Sequence, residues 1–149
     1  MPLPPPQTPQ SAGPVAPPGL GVPRPVAVKV LLLEDRSDFR NVLREHLVSC
    51  DYEVISVASG IEGLRKVMMK PVDIILCDMM MPQMGGEMFY WAVTRVRPGA
   101  RQRFIFFTGH KNNPSLEFFF RRAHARVLYK PFKLSALESE IRDVLLKVT

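Results

Sequence analysis

Hydrophobic residues along the chain form five short runs that predict β-strands. The runs are Val28–Leu33, Glu53–Val57, Val72–Cys77, Phe104–Phe107 and Arg126–Tyr129. The first, third and fourth runs are almost continuously apolar, which is typical of central strands in a parallel sheet that is covered on both faces. The second run alternates between apolar and polar residues, and we therefore expect it at an edge of the sheet.

Segments with helical periodicity separate these runs. Their apolar stripes are Phe39, Val42, Leu43 and Leu47; Ile61, Leu64, Val67 and Met68; and Leu137, Ile141, Val144, Leu145 and Val148. The second stripe begins at a capping box formed by Ser59 and Glu62. A third helix is predicted from Gly86 to about Val96, and the Asn113-Pro114 pair is a typical helix start.

The order of elements is therefore (βα)5. Single helices between strands imply right-handed crossovers, so the predicted fold is α/β, with a five-stranded, doubly wound parallel sheet. Ligands of such sheets bind beyond the carboxyl ends of the strands, at the point where the strand order reverses. Candidate functional residues should therefore lie directly after the strands.

The N-terminal part of the chain has a different composition. The first 25 residues contain ten of the fifteen prolines and no charged residue before Arg24. Such a segment buries too little apolar surface to offset the entropy lost on ordering. We expect residues 1–26 to form a disordered or polyproline-II tail or linker, and residues 27–149 to form a single domain.

Charge and cysteine content narrow the class of protein further. The net charge is +6, and four arginines lie close together (Arg95, Arg97, Arg101 and Arg103). No nucleic-acid motif accompanies them, so we interpret the cluster as a solvated loop and expect no nucleic-acid partner.

Two cysteines, Cys50 and Cys77, do not make a disulfide framework or a cysteine-based metal site. Without an apolar run of membrane-spanning length or a signal peptide, we expect a soluble, cytoplasmic protein with no membrane contact.

Five polar residues follow the predicted strands and carry the candidate chemistry: Glu34, Asp35, Asp78, Thr108 and Lys130. Three carboxylates at close range cannot all remain ionised without a cation. Oxygen ligands favour Mg²⁺, which needs only one or two carboxylates. A carboxylate beside a metal can act as a nucleophile toward phosphorus, while a lysine and a hydroxyl stabilise the phosphoryl oxygens.

These motifs resemble the receiver domain of two-component response regulators, in its chemotaxis-regulator-like form. The resemblance rests on the pair Glu34-Asp35, Asp78 with Pro82 four residues later, Thr108-Gly109, and Lys130-Pro131-Phe132. It extends from about Lys29 to Thr149. The resemblance implies a flavodoxin-like fold with strand order 2-1-3-4-5.

The resemblance also implies roles for the site residues. Asp78 would accept a phosphoryl group from the phosphohistidine of a bacterial histidine kinase or phosphotransfer protein, and Thr108 and Lys130 would contact that group. Asp78 would also bind Mg²⁺. The Lys130–Pro131 peptide bond is expected to be cis.

The other magnesium ligands that the resemblance implies are Asp35, Glu34, directly or through water, and the backbone carbonyl of Met80. Glu34 replaces the commoner aspartate, which is a mild change because its longer side chain still reaches an ion.

Two further departures concern switching and phosphoryl lifetime. The family usually has an aromatic residue three positions before the lysine, where this chain has Val127, and Tyr129 stands next to the lysine on the opposite side of the strand. Without a ring at Val127, the response would depend on loop movement near Thr108. Met80 and His110 occupy positions that flank the phosphoryl group in the family. A bulky Met80 should hinder an attacking water, and His110 would either orient water or lie in solvent.

A partner surface is predicted on the fourth helix, fifth strand and fifth helix. Three consecutive phenylalanines in a helix span more than one core-facing stripe, so at least one should be exposed. The residues predicted to contact a downstream protein, or a second copy of the chain, are Phe118, Phe119, Phe120, Arg121 and Arg122.

Three functions remain to be distinguished. The first is a phosphorylated switch that signals through protein contacts. The second is a docking scaffold that does not need phosphorylation, and a receiver fragment of a hybrid histidine kinase would have the same sequence pattern. The third is a phosphatase with an aspartyl nucleophile. Such phosphatases place a second aspartate two residues after the first, where this chain has Met80, so we do not expect a turnover enzyme.

Overall fold

The computed structural model describes residues 26–148, so the predicted proline-rich tail lies outside the described residues, apart from Val26. Five strands alternate with five α-helices. The strands are β1 (Lys29–Leu33), β2 (Glu53–Val57), β3 (Ile74–Asp78), β4 (Phe104–Thr108) and β5 (Arg126–Tyr129). The helices are α1 (Ser37–Ser49), α2 (Gly60–Met69), α3 (Gly86–Val96), α4 (Pro114–Ala123) and α5 (Leu134–Val148), with a 3₁₀ helix at Pro98–Arg103.

The strands form one parallel sheet in the order β2-β1-β3-β4-β5. This order confirms the predicted flavodoxin-like fold and the edge position of β2. Strand β2 is added on one side of β1, and β3 to β5 are added on the other side. The strand order therefore reverses between β1 and β3, which is where a doubly wound sheet offers a ligand site. Within residues 26–148, no helix is both long enough and apolar enough to cross a membrane.

The sheet separates two hydrophobic cores. Helices α2, α3 and α4 cover one face through Val67, Phe89, Tyr90, Val93, Phe119 and Phe120. Helices α1 and α5 cover the other face through Leu43, Leu47, Leu137, Ile141 and Val144. Because β3 and β4 are buried on both faces, their apolar side chains alternate between these two cores.

The predicted helix caps are present. The Ser59 hydroxyl accepts a hydrogen bond from the Glu62 backbone N–H at the start of α2. The Asn113 side chain accepts hydrogen bonds from the backbone N–H groups of Ser115 and Leu116 at the start of α4. Each cap satisfies N–H groups that have no partner within the helix.

Three members of the predicted apolar stripes lie outside the core. Val42, Ile61 and Met68 lie at the margins of their helical stripes and are 54%, 37% and 39% exposed. Neighbouring stripe residues such as Leu43 and Val67 fill the core instead. The predicted loop at the arginine cluster is largely the 3₁₀ helix, in which the Arg103 guanidinium donates a hydrogen bond to the backbone carbonyl of Asp73.

Candidate functional site

The carboxyl ends of β1 and β3 bring two acidic side chains together. Leu33 pairs with Cys77 in the parallel register, so Glu34 and Asp78 are the next residues along neighbouring strands. Asp78 is the last residue of β3, and Thr108 is the last residue of β4, whereas the predicted strands ended one residue earlier. Both side chains remain at the sheet edge where the order of strands predicted a ligand site.

Lys130 reaches these two carboxylates from the end of β5. Its Nζ lies 3.0 Å from Glu34 Oε1 and 3.3 Å from Asp78 Oδ2. Glu34 is fully buried and Asp78 is 4% exposed. Buried charges are tolerated when they are paired and hydrogen-bonded, so the lysine allows the two acids to occupy the ends of two neighbouring central strands.

Backbone N–H groups bind the remaining carboxylate oxygens of the pair. Glu34 Oε2 accepts a hydrogen bond of 3.0 Å from the Arg36 N–H, and Asp78 Oδ1 accepts one of 3.2 Å from the Met80 N–H. Every oxygen of these two acids therefore has a donor, and their orientation is fixed by the loops that follow β1 and β3.

The two carboxylates still carry more negative charge than their donors offset. Burial raises the pKa of Glu34 above its usual 4.5, and the negative charge of Asp78 raises it further. The Arg36 N–H and Lys130 oppose this change, but the net direction remains upward. A second cation at this edge would therefore stabilise the ionised form of Glu34.

The acidic residues fit a divalent cation. Glu34, Asp35 and Asp78 each offer a carboxylate oxygen, and these three oxygens lie within 4.8 Å of one another. Asp35 is exposed while the other two are buried, so solvent reaches the cluster from one side. All three donors are hard oxygens, which suit Mg²⁺ and its retained waters. The role of the Met80 carbonyl stays a prediction.

Two aromatic rings lie close to Lys130, and a third ring packs against both of them. Its ammonium lies 4.9 Å from the ring centroid of Phe39 and 5.4 Å from that of Phe107. Phe132 contacts both rings at centroid distances of 5.9 Å. These rings limit the positions open to the lysine, a role that the sequence patterns did not reveal for Phe39 and Phe107.

Thr108 lies at the same edge. Its side chain is buried, and its hydroxyl oxygen accepts a hydrogen bond of 3.1 Å from the His110 N–H, which leaves the hydroxyl proton free to be donated. The Lys130 N–H donates to the Thr108 carbonyl at 2.8 Å, so β5 presents the lysine directly beside the threonine. The Lys130–Pro131 bond is cis, as predicted. His110 is exposed.

A glycine allows the loop after β3 to fold back over Asp78. The Gly86 N–H donates to the Met79 carbonyl at 3.0 Å. A Cβ atom at Gly86 would lie 2.9 Å from the Asp78 carbonyl oxygen and 2.9 Å from Met79 Cα. Only glycine therefore fits this approach without displacing the backbone that carries the acid. The Gly85-Gly86 pair after Pro82 was the available sequence signal.

Val127 and Tyr129 line a cleft beside α4, together with Glu117, Phe120 and Arg121. Tyr129 pairs in register with Thr108, and Val127 pairs with Phe106. Val127 has no ring, but the aromatic side chain of Tyr129 lies two residues further along β5 in the same cleft. The prediction that Tyr129 lies on the opposite side of the strand is therefore wrong, because residues i and i+2 of a strand share a face.

The surface of α4 differs from the prediction. Phe118 is 59% exposed, which confirms that one phenylalanine lies outside the core, whereas Phe119 and Phe120 are buried at 1% and 9%. The prediction that Phe119 and Phe120 contact a partner is wrong because both pack beneath the helix. Arg121 and Arg122 are exposed.

Comparisons with known proteins agree with this architecture. The family model of the response regulator receiver domain matches residues 30–142. The chain is 30% identical over 119 residues to the response regulator receiver protein CpdR of Brucella abortus, covering 79% of this chain and 97% of that protein. It is also 30% identical over 116 residues to the transcriptional regulatory protein GlrR of Escherichia coli. That match covers 78% of this chain but only 26% of GlrR, so the chain spans about a quarter of that regulator.

Solved structures show the same fold. The CheY-like receiver domain protein of Methanospirillum hungatei superposes with a TM-score of 0.76 at 24% identity, covering 83% of this chain and 97% of that one. The chemotaxis protein CheY4 of Vibrio cholerae superposes with a TM-score of 0.72 at 28% identity, covering 80% and 99%. The fold, the family match and the clustered strand-end residues agree, and the chain belongs to the family of response regulator receiver domains.

Proposed function

We propose that this chain is a phosphorylated switch of a two-component system. Asp78 accepts the phosphoryl group from a phosphohistidine on a histidine kinase or phosphotransfer protein. The observation that carries the proposal is the placement of Lys130 between the carboxylates of Glu34 and Asp78 at the end of the central strand. A structural ion pair alone would not need a second acid at the same point.

The proposed reaction is a direct transfer between two side chains. An Asp78 carboxylate oxygen attacks phosphorus and the bond from phosphorus to the imidazole nitrogen breaks. The electron pair of that bond stays on the ring, which carries a proton on its other nitrogen and therefore leaves as neutral imidazole. Lys130 and the Thr108 hydroxyl would bind phosphoryl oxygens, and the positive charge of the lysine and the hydrogen bond of the threonine would stabilise the charge that develops there. The buried surroundings strengthen both interactions.

Glu34, Asp35, Asp78 and the Met80 carbonyl would hold Mg²⁺, which when bound would neutralise the phosphoryl oxygens. Two observations support these ligands. One carboxylate oxygen from each of the three acids lies within 4.8 Å of the other two, and the pKa of Glu34 is raised above its usual value. Lys130 cannot offset three acids by itself, so a divalent cation complements the lysine rather than replacing it.

The proposed output is contact with another protein through α4, β5 and α5. Phe118 is the exposed phenylalanine of α4. The Arg122 guanidinium lies 5.7 Å from its ring centroid and 5.4 Å from that of Trp91 in α3, so Phe118 extends this surface on the α3 side of α4. Exposed aromatic and arginine side chains are enriched in protein interfaces. A downstream protein or a second copy of this chain would fit this surface.

The test is the intact mass after incubation with acetyl phosphate and Mg²⁺. We expect one phosphoryl group on the wild-type chain, and none on Asp78→Asn or after chelation. Asp73→Asn is the matched control because Asp73 precedes the opposite end of the same strand, where its carboxylate accepts a hydrogen bond from the Lys29 N–H. No mass gain in folded, Mg²⁺-bound wild-type protein would instead favour a docking scaffold that does not use phosphorylation.

A further inference from the structure

A second group of metal-ligating side chains lies between α1 and α5, apart from the acidic site. His46 Nε2 is 2.7 Å from Glu138 Oε2 and 3.8 Å from Cys50 Sγ. One ligand atom from each of these three residues lies within 4.8 Å of the other two. The imidazole, the thiol and the carboxylate therefore converge on one point.

The backbone holds two of these residues in position. Cys50 follows His46 by four residues, so both side chains project from the same side of the last turn of α1. The Cys50 N–H donates to the carbonyls of His46 and Leu47, and the Ser49 hydroxyl also donates to the His46 carbonyl. This turn is fixed before any ligand binds.

The third residue comes from α5, which packs on the same core as α1. The Arg142 guanidinium lies 3.7 Å from Glu138 Oε1, whereas His46 contacts the other carboxylate oxygen, Oε2. Arg142 therefore helps to orient the carboxylate with Oε2 toward the imidazole. The side chains of His46 and Glu138 are 22% and 30% exposed, which leaves a path from solvent.

We propose that His46, Cys50 and Glu138 bind a Zn²⁺-type transition-metal ion that links α1 to α5. Nitrogen, sulfur and carboxylate oxygen are the ligands that zinc takes in proteins, and three of them leave one position for water. A tetrahedral ion with bonds of about 2.0–2.3 Å holds its ligand atoms roughly 3.3–3.6 Å apart. Cys50 Sγ is 3.8 Å from His46 Nε2, which is already close to that separation. Glu138 Oε2 is 2.7 Å from the same nitrogen and would need to move away by less than one ångström.

Binding replaces protons with the metal. The Cys50 thiol releases its proton to solvent and binds as the thiolate. The His46 imidazole binds through the Nε2 lone pair with its proton on Nδ1, so the ion takes the place of the hydrogen that joins His46 to Glu138 in the free protein. No electron transfer is involved. The proposal is independent of phosphorylation at Asp78.

The ligand chemistry separates this site from the acidic one. The strand-end cluster offers only hard oxygens and suits Mg²⁺, whereas a thiolate and an imidazole select softer ions such as Zn²⁺ and Co²⁺. The chain would therefore bind two different metals at two distinct places. A cobalt ion reports the difference directly, because only a thiolate ligand gives an intense near-ultraviolet charge-transfer band.

The experiment is a titration of the reduced, metal-free full chain with Co²⁺, followed by displacement with Zn²⁺. We expect a thiolate charge-transfer band that saturates at one equivalent and disappears when Zn²⁺ is added. Cys50→Ser should abolish the band, while His46→Gln and Glu138→Gln should weaken Co²⁺ binding by at least tenfold. Circular dichroism in chelator confirms that each variant is folded.

Two variants serve as matched controls. Cys77→Ala removes the other cysteine, which is buried in β3, and Asp78→Asn alters the acidic site; both should retain the band. Zn²⁺ should also raise the melting temperature of the wild type but not that of Cys50→Ser, because only a ligand of the folded state stabilises it. Absence of the band in wild type, or its survival in Cys50→Ser, would overturn the proposal and leave His46 and Glu138 as an ordinary ion pair.

Discussion

Lys130 and Glu34, which are 96 residues apart in sequence, form an ion pair of 3.0 Å in which the carboxylate is fully buried. Glu34 has no exposed surface through which water could solvate its charge. Within residues 26–148, Lys130 is therefore the only side-chain cation that forms an ion pair with this carboxylate.

Removal of that cation should destabilise the protein. In chelator at neutral pH, we expect Lys130→Ala to lower the free energy of unfolding by roughly 2–3 kcal/mol, because it leaves two buried carboxylates without their partner. Lys133→Ala is the control, since Lys133 is exposed and lies three residues away. Urea denaturation of both variants measures the difference. Equal stability of the two variants would contradict this role for Lys130.

The raised pKa of Glu34 predicts a pH dependence with a definite sign. A carboxyl group whose pKa is higher in the folded state than its usual 4.5 stabilises the fold below that value and loses this stabilisation as the pH rises through the folded pKa. The stability of the wild type relative to Glu34→Gln should therefore fall as the pH rises from 4.5 toward neutrality in chelator. Denaturation curves across that window test the prediction, and a relative stability that rises with pH would contradict it.

Gly86 should be intolerant of a side chain. Gly86→Ala places a methyl group 2.9 Å from the Asp78 carbonyl oxygen, so the loop must shift. We expect a loss of about 1–3 kcal/mol in stability, as for other overpacked sites, and slower phosphorylation by acetyl phosphate. Gly99→Ala is the control, because a Cβ atom there meets nothing within 4 Å. A Gly86→Ala variant that matches Gly99→Ala in both measurements would show that the loop has room.

Met80 should protect a phosphorylated Asp78 from water. Its N–H donates a hydrogen bond to Asp78 Oδ1, and the residue is 54% exposed. Met80→Asn removes apolar bulk and adds a group that can orient water, so we expect autodephosphorylation to become several-fold faster. Loss of the phosphoryl mass over time gives the rate. A sharply slower rate would refute shielding by Met80.

Phe118 and Phe119 are adjacent residues with opposite expected effects. Phe119 is 1% exposed and its ring packs against Tyr90, Trp91, Phe106 and Phe120. Phe119→Ala should lower the free energy of unfolding by about 3–5 kcal/mol, because it leaves a cavity in this core. Phe118→Ala should change stability by less than about 0.5 kcal/mol.

Thermal and urea denaturation compare these two variants directly. A large destabilisation in Phe118→Ala would show that its ring supports the fold rather than a surface. Self-association of Phe118→Ala, measured by sedimentation, separately tests whether the exposed ring contributes to a dimer.

The sequence predicted the sheet well because its central strands are buried on both faces and leave uninterrupted apolar runs. It also placed the five site residues, since parallel strands deliver their carboxyl ends to one edge. The strand ends were misjudged by one residue because the Met79 N–H continues the ladder to the Phe107 carbonyl, and no periodicity reveals that bond. The close approach of Gly86 to the Asp78 backbone depends on the path of the intervening loop, and the rings beside Lys130 come from segments that are distant in sequence. Local patterns encode neither.

The aromatic rings beside Lys130 connect the acidic site to helices on the other side of the sheet from α4. Phe39 belongs to α1, Phe107 to β4, and Phe132 to the segment that enters α5. Because the Lys130 ammonium lies over the rings of Phe39 and Phe107, and Phe132 packs against both, an ammonium drawn toward a new anion would change its contacts with these rings. Phosphorylation of Asp78 would thereby alter packing on the α1 and α5 side of the sheet as well as at α4. Each side would then present a changed surface to a different partner protein.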